Sequence, residues 1–422
     1  MNRPEIIAMH PNGNANVRAA MTGFARRCML KEFHTAIACF KGTLMYKLAM
    51  GPLSEFRRRE FDKILKPYTH THPLHELARL VSMKAGFKTL YRHEIGRFSV
   101  DAVYQQMDML LAKRILSGAH GDAVYAFEDG AASSFEAAKS KGIKTYYDLP
   151  IGYWRMARQL LEQERELRPD WAPTITGFND SLAKLDRKDR ELELADEIFV
   201  ASSFTAKTLN AYPGNLAPVH VIPYGFPKVN ESKQYATDKS KPLKVLFVGG
   251  LSQRKGLANV FEAAEALGSS VELTVVGSKG HVDCPALDKA LQSCKWIPSL
   301  PHHAILNLMR EMDVLAFPSL FEGFGLVITE AMSQGTPVIT TDRTAGPDII
   351  THKHDGWLIE AGSTDALTEI LSLLQDDRQR IAQAGINAQK TAGKRTWINY
   401  GDDLANRVHQ VFHQIEQVKH GY

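Results

Sequence analysis

The chain has 422 residues, 44% hydrophobic and 23% charged, and its 51 Lys and Arg stand against 47 Asp and Glu for a formal net charge of +4. That is an ordinary globular composition, long enough for two domains with full cores. The four cysteines, Cys28, Cys39, Cys284 and Cys294, form no Cys-x-x-Cys pair and no zinc-like spacing, which excludes a disulfide scaffold and predicts reduced thiols of an intracellular protein.

The charge is uneven. Residues 1 to 100 carry 17 Lys and Arg against 7 Asp and Glu, a basic quarter suited to an acidic acceptor, an anionic membrane face or nucleic acid, with a solvated basic face as the alternative. The apolar patch Ile6 to Met9 is too short for a signal peptide, and no apolar run approaches the ~20 residues of a membrane helix. The expectation is a cytoplasmic protein that at most touches the inner face of a membrane.

In chain order, Glu5 to Met9 predicts a strand, and His10-Pro-Asn-Gly-Asn-Ala-Asn predicts a loop opening a helix over Val17 to Lys31. Glycine and asparagines before a helix suit a turn that faces a ligand, which makes His10, Gly13 and Asn14 substrate-side candidates; the alternative is that such residues simply populate loops. Ala36 to Cys39 reads as the second strand. Between Gly51 and Pro73, Arg57, Arg58, Arg59, Lys63 and Lys66 interleave with Phe56, Phe61 and Tyr68, a pattern for an anionic partner. His70, His72 and His75 lie close, but Pro73 interrupts them and no acidic ligand is near, so no metal site is assigned. Helical patterns over Leu74 to Lys84 and Val100 to Leu116 carry no assigned chemistry.

From Asp122 the pattern becomes strand, turn, helix, strand: Ala123 to Phe127, Glu128-Asp-Gly, a helix to about Lys141, and Lys144 to Tyr147. In such βαβ units ligands bind beyond the carboxyl ends of the strands, where Glu128, Asp129 and Asp148 lie; the competing role is helix capping. Tyr153 to Arg168 reads as a solvated amphipathic helix, Asp180 to Asp196 as another, Glu197 to Ala201 and Val219 to Ile222 as strands, and lysine-rich Lys228 to Lys241 as an interdomain linker. A second βαβ series has strands at Lys244 to Phe247, Glu272 to Val276, Cys294 to Ile297, Val314 to Phe317 and Pro337 to Ile339. Alternation with helices of about 10 to 15 residues predicts a parallel doubly wound sheet. Trp397 to Val418 closes the chain as a helix.

Two turns carry the chemistry. Gly249-Gly-Leu-Ser-Gln-Arg-Lys-Gly256 follows a strand and opens a helix; its glycines let backbone approach a phosphate, and Arg254 and Lys255 add two cations there. It is neither the P-loop pattern nor the GxGxxG fingerprint. The second turn lies within Asp313 to Gly335, where a buried strand is followed by a glycine-bearing turn and a helix start with two carboxylates, Glu322 and Glu330. Backbone N–H groups at such a helix start can hold an anion. The alternative is that Glu330 ends in an ion pair and Glu322 caps the helix.

Residues 244 to 362 resemble the donor-binding half of retaining GT-B fold glycosyltransferases of family 4, the glycosyl transferases group 1. Glu322-Gly-Phe-Gly-Leu-Val-Ile-Thr-Glu330 is similar to that family's Glu-x7-Glu element, Arg254 and Lys255 resemble its diphosphate-binding basic pair, and Val245 to Gly249 and Gly335 to Ile339 have its flanking form. The resemblance implies that Glu330 receives the ribose hydroxyls and Glu322 the donor sugar. It also implies that the backbone at Phe324, Gly325 and Leu326 faces the distal phosphate, with Gly249 and Gly250 beside the donor. Two departures stand out. Gly250 occupies a position where the family often has arginine, which leaves Arg254 to supply the charge. Phe127 or Glu128, and Tyr147, stand where the family often has histidines, with His10 or Glu128 as the substitutes.

The resulting expectation is an α/β protein of two Rossmann-like doubly wound domains facing a cleft. An acceptor-binding domain spans 1–232, with the helix 397–422 packed back on it, and a donor-binding domain spans 243–396. The expected function is a hexosyltransferase-like enzyme of glycan or polysaccharide synthesis. It moves a sugar from a UDP- or GDP-linked donor to a saccharide or lipid-linked acceptor, with retention. Peripheral contact with an anionic membrane is expected, and no nucleic-acid partner. No Asp-x-Asp occurs, so no metal and no cofactor is expected. An epimerase or hydrolase of the same fold, or a non-catalytic carbohydrate- or nucleotide-binding module, are the alternatives.

Overall fold

The structure, a computed structural model, describes residues 3–43, 46, 59–230, 232–280 and 283–420, with side chains to 414. Phe56, Arg57 and Arg58 of the expected basic stretch lie outside these residues. Two parallel sheets follow one another along the chain. The first is built from β1 (Ile6–Met9), β2 (Leu30–Thr35), β5 (Thr69–Thr71), β6 (Ala123–Phe127), β7 (Lys144–Leu149), β8 (Glu197–Val200) and β9 (Val219–Val221), in the order β5-β2-β1-β6-β7-β8-β9. A separate two-stranded ladder pairs β3 (Cys39–Phe40) with β4 (Glu60–Phe61).

The second sheet comprises β10 (Leu243–Val248), β11 (Val271–Val276), β12 (Lys295–Ile297), β13 (Val314–Phe317), β14 (Val338–Thr341) and β15 (Gly356–Ile359), ordered β12-β11-β10-β13-β14-β15. Val245 stands opposite Leu273 on one side and Val314 on the other. β1, β6 and β13 are buried along their whole length, as strands covered by helices on both faces must be.

In both sheets the chain leaves a central strand to one side and later returns on the other: β1 to β2 and then β6, β10 to β11 and then β13. Ligand crevices form beyond the carboxyl ends of strands at such switch points. The loops standing there follow β1, β6, β10 and β13, and they carry the candidate residues other than Asp148, which lies in β7, and Leu326 and Glu330, which lie in the helix after β13.

The first helix is Ala15–Arg26, shorter than Val17 to Lys31. Cys28, at φ 56, turns the chain left-handed, and β2 starts at Leu30. Ala36 and Ile37, read as strand, are buried as loop. The helix Trp154–Leu167 is amphipathic with one solvated face, and it also bridges the halves: Glu164 accepts from the Gln253 amide at 2.6 Å, and Arg168, just past its end, donates to Glu262 at 2.8 Å. The presumed linker is docked on the second sheet's half, with Lys233 Nζ donating to Thr336 at 2.8 Å and Tyr235 to the Gly335 carbonyl at 3.0 Å. A small apolar cluster of Leu161, Ile175, Phe204, Leu320 and Phe321 sits where the halves meet. The helix Trp397–His420 returns across the first half and packs along Ala15–Arg26.

Candidate active site

Between the two sheets lies a cavity of about 580 Å³. Its second-sheet wall includes Gly249, Lys255, Glu322, Phe324, Gly325 and Leu326; its first-sheet wall includes His10, Asn14, Tyr104, Glu128, Asp129 and Lys184. A neighbouring cavity of about 480 Å³ holds Gly250 and Arg254 and shares Lys255. Lys255 thus stands between the two spaces.

The Gly249–Gly256 turn ends with Gly256 at φ +68, where an added Cβ would lie 2.1 Å from the Pro318 carbonyl oxygen. That contact presses the turn after β10 against the turn after β13 and brings their charges together. Lys255 Nζ donates to Glu322 at 2.6 Å, and Arg254 donates to the same carboxylate at 3.2 Å and to the Phe321 carbonyl at 2.6 Å. Lys255 also sits 4.8 Å over the Phe317 ring. Burial alone would raise the Glu322 carboxyl, but the two cations outweigh it and hold the group below the usual carboxylate range. Burial pushes the Lys255 ammonium down, with Glu322 opposing. The two cations and Glu322 therefore form one charged cluster.

Gly325 begins the helix Leu326–Ser333 at φ +85, a conformation costly for any residue with a Cβ. Gly323 has a different reason to be glycine. An added Cβ there would lie 2.3 Å from the Pro150 carbonyl, and its own carbonyl accepts from Ser202 at 2.5 Å and Thr205 at 2.9 Å. What Gly323 approaches is the backbone of the first half. Glu330 lies one helical turn further on, outside the 580 Å³ cavity, where it accepts from His302 at 2.9 Å. That bond raises the His302 imidazole above its ordinary range, against the lowering effect of burial.

On the first-sheet wall, His10 directly follows β1 and is 5% exposed. Burial pushes its imidazole down to about 4, opposed by the Asn12 backbone, so it faces the cavity uncharged. Asn14 occupies the N-cap position of Ala15–Arg26 without capping it, which leaves its amide to the cavity. Gly13 is elsewhere, packed against the Phe61 ring. Glu128 and Asp129 are engaged by Lys188 Nζ at 2.9 and 3.1 Å. Asp129, at φ 72, is held by its backbone N–H donating to Glu191 at 2.9 Å. Asp148 does not line the cavity: it is 3% exposed and accepts from the Tyr125 hydroxyl at 2.6 Å. Burial pushes its carboxyl up to about 7, with Tyr125 opposing.

Several contributors were not singled out from sequence. Tyr224 packs its ring 4.8 Å from Phe324 and accepts from Asn16 at 3.2 Å; the Pro-Tyr-Gly-Phe-Pro turn held only a general loop signal. Lys184 joins Asp101 at 2.9 Å and Asp180 at 3.2 Å. Among the described residues one trio, His93, Glu94 and Asp180, has donor atoms within 4.8 Å of one another, with the Lys184 ammonium already beside Asp180. Of the earlier histidines, His70 and His72 stack on His34, whereas His75 meets Phe98.

Residues 229–391 match the family described as glycosyl transferases group 1. Over that segment the chain is similar to group 1 glycosyl transferases. Over 144 residues it is 31% identical to the amylovoran biosynthesis glycosyltransferase AmsK of Erwinia amylovora, covering 31% of this chain and 35% of that one. Over 227 residues it is 28% identical to the alpha-maltose-1-phosphate synthase of Mycolicibacterium smegmatis, covering 46% of this chain and 58% of the relative. The chain thus spans between a third and three-fifths of the length of these relatives. HepE from Anabaena, solved in complex with UDP, superposes with a TM-score of 0.61 at 16% identity, over 96% of this chain and 99% of HepE. The structure therefore has a GT-B fold. The matched segment contains the Gly249–Gly256 turn and both carboxylates of the Glu322 to Glu330 element.

Proposed function

We propose that this protein is a glycosyltransferase of glycan or polysaccharide synthesis that moves a sugar from a nucleoside diphosphate to an acceptor hydroxyl with retention at the anomeric carbon. The observation that carries the reading is the Lys255–Glu322–Arg254 cluster beside the helix start at Gly325, on the wall of a cavity between two sheets. The region 243–396 binds the donor, and the region 1–232, completed by the C-terminal helix, binds the acceptor. Glu330, already oriented by His302, takes the ribose hydroxyls, and Glu322 takes a hydroxyl of the sugar. As the anomeric C–O bond breaks, negative charge grows on the departing diphosphate. Lys255, Arg254 and the backbone N–H groups at Phe324 to Leu326 stabilise that charge as donors already in place.

Positive side chains in this arrangement take the place of a bridging metal, and the absence of Asp-x-Asp in the sequence supports a metal-independent reaction. The HepE complexes with UDP and UDP-glucose support a UDP-linked donor, with GDP as the other candidate base. On the acceptor wall His10 faces the sugar, a reading supported over Glu128 by the commitment of Glu128 to Lys188. Asn14 and Asp129 flank the incoming hydroxyl. The acceptor is a saccharide or a lipid-linked saccharide met at the inner face of the membrane.

Donor turnover by Lys255→Ala and Glu330→Ala tests the assignment. The first loses on the order of 2 to 4 kcal/mol in the barrier, read as a fall in kcat. The second loses about 1.5 to 3 kcal/mol of donor interaction, read mainly as a rise in KM. Unchanged kinetics in both variants would overturn the site.

A further inference from the structure

The helix Leu74–Lys84 turns an apolar stripe outward. It buries Glu76 and Ser82, 2% and 4% exposed, whereas Leu74, Leu77 and Val81, which share one face, are 78%, 37% and 65% exposed. A surface helix of a soluble protein turns that apolar stripe inward. The inward side holds Glu76, paired with Arg59 and with Arg79, the latter at 2.7 Å, beside the half-buried Leu80, which packs against the core of the first half. The outward stripe is therefore not a packing accident that a small rotation would cure.

Of the 18 large apolar side chains most exposed among the described residues, 8 fall between Ile64 and Val100. Scattered apolar exposure is normal on any protein surface; this concentration is not. Phe87, 58% exposed, follows directly, its N–H donating to the Ser82 carbonyl at 2.9 Å, and Ile95 is 71% exposed. Charge completes the pattern. Residues 63–100 contain 7 Lys and Arg against 2 Glu, one of those being the buried Glu76. Lys84, Lys88, Arg92 and Arg97 are all exposed.

We infer that this face docks on an anionic lipid bilayer, seating Leu74, Leu77, Val81 and Phe87 in the headgroup region with Lys84, Lys88, Arg92 and Arg97 against lipid phosphates. An apolar centre with a basic rim is what an interfacial helix needs. A second copy of the chain would bring like charges face to face. His93 and Val100, at the end of the same segment, also line the 580 Å³ cavity, so docking sets the cavity mouth at the bilayer surface, where a lipid-carried acceptor presents its hydroxyl. That last step rests on the glycosyltransferase reading; the docking itself does not.

Flotation of the full chain with vesicles of equimolar phosphatidylglycerol and phosphatidylcholine, and of phosphatidylcholine alone, tests it. The wild type floats with the anionic vesicles at low salt and is released as salt rises. Leu77→Gln/Val81→Gln lowers the partition coefficient about tenfold or more, and Lys88→Glu/Arg92→Glu removes the preference for anionic lipid. None of these residues lies in the donor site, so the thermal shift produced by UDP-glucose or a GDP-sugar stays the same in all variants. A missing shift in the wild type would count against glycosyl transfer and leave docking standing. The docking inference is overturned if the wild type does not float with anionic vesicles at low salt, or if Leu77→Gln/Val81→Gln floats as well as the wild type. It is equally overturned if the wild type is a dimer in solution that this double variant dissociates, for the face would then be covered by a second copy.

Discussion

At the scale of single residues, the cluster of Glu322, Lys255 and Arg254 sets how the candidate site responds to pH. On the proposed function Lys255 carries its proton to act on a diphosphate, so its contribution is present below its own titration and lost as pH rises through it. Burial already lowers that titration, and Glu322 is the neighbour that opposes the lowering. Glu322→Gln keeps the shape and removes the charge. The basic limb of the kcat profile in this variant is expected to move to lower pH than in the wild type, and a limb that stays in place would show that Lys255 does not depend on Glu322. These three residues were legible in the sequence because glycine-bearing turns after buried strands advertise themselves. His302 and the Asn16–Tyr224 pair were not. Each meets its partner across a separation of 28 and 208 residues, and no local pattern encodes such a meeting.

At the scale of elements, five strands of the second sheet were read within about two residues, because all of them but the exposed edge strand β12 are largely buried, and strands buried on both faces are continuous apolar runs. β15 escaped because it begins at a glycine and follows a polar loop. In the first half, β2 was displaced by several residues and β5 was missed, since Thr69–Thr71 is largely exposed and carries no apolar alternation. The C-terminal helix shows a constraint that its amphipathic pattern did not announce. Its Gly401 approaches Ala15–Arg26 so closely that an added Cβ would lie 2.3 Å from the Ala19 carbonyl, and one on Gly23 would lie 2.1 Å from the Gly401 carbonyl. Both obstacles are backbone and cannot rotate away. Gly401→Ala is expected to destabilise the protein by about 1 to 3 kcal/mol through overpacking, measured as a lower urea midpoint; an unchanged midpoint would mean that the helix slides without cost.

At the scale of the whole molecule, buried ionisable groups on the first half pull stability in opposite directions with pH. Burial lowers His10 and His34 to about 4, below the ordinary histidine value, so their contribution is fully present above about pH 6.5 and lost as pH falls through about 4. Burial raises Asp148 and Glu191 to about 7; the folded state then binds protons that the unfolded chain has released. Their contribution is fully present below about pH 4 and lost as pH rises through about 7. The two trends oppose each other across the same window and flatten the wild-type profile. Asp148→Asn imitates the protonated acid and still offers an oxygen to the Tyr125 hydroxyl. Relative to wild type it should change little at about pH 4 and gain on the order of 2 kcal/mol at about pH 8, with a profile that climbs between these limits as the histidines take over. Urea unfolding of both proteins across this range reads the difference directly. Parallel profiles would mean that Asp148 ionises in the folded protein as readily as in the unfolded chain, and that burial costs its charged form nothing.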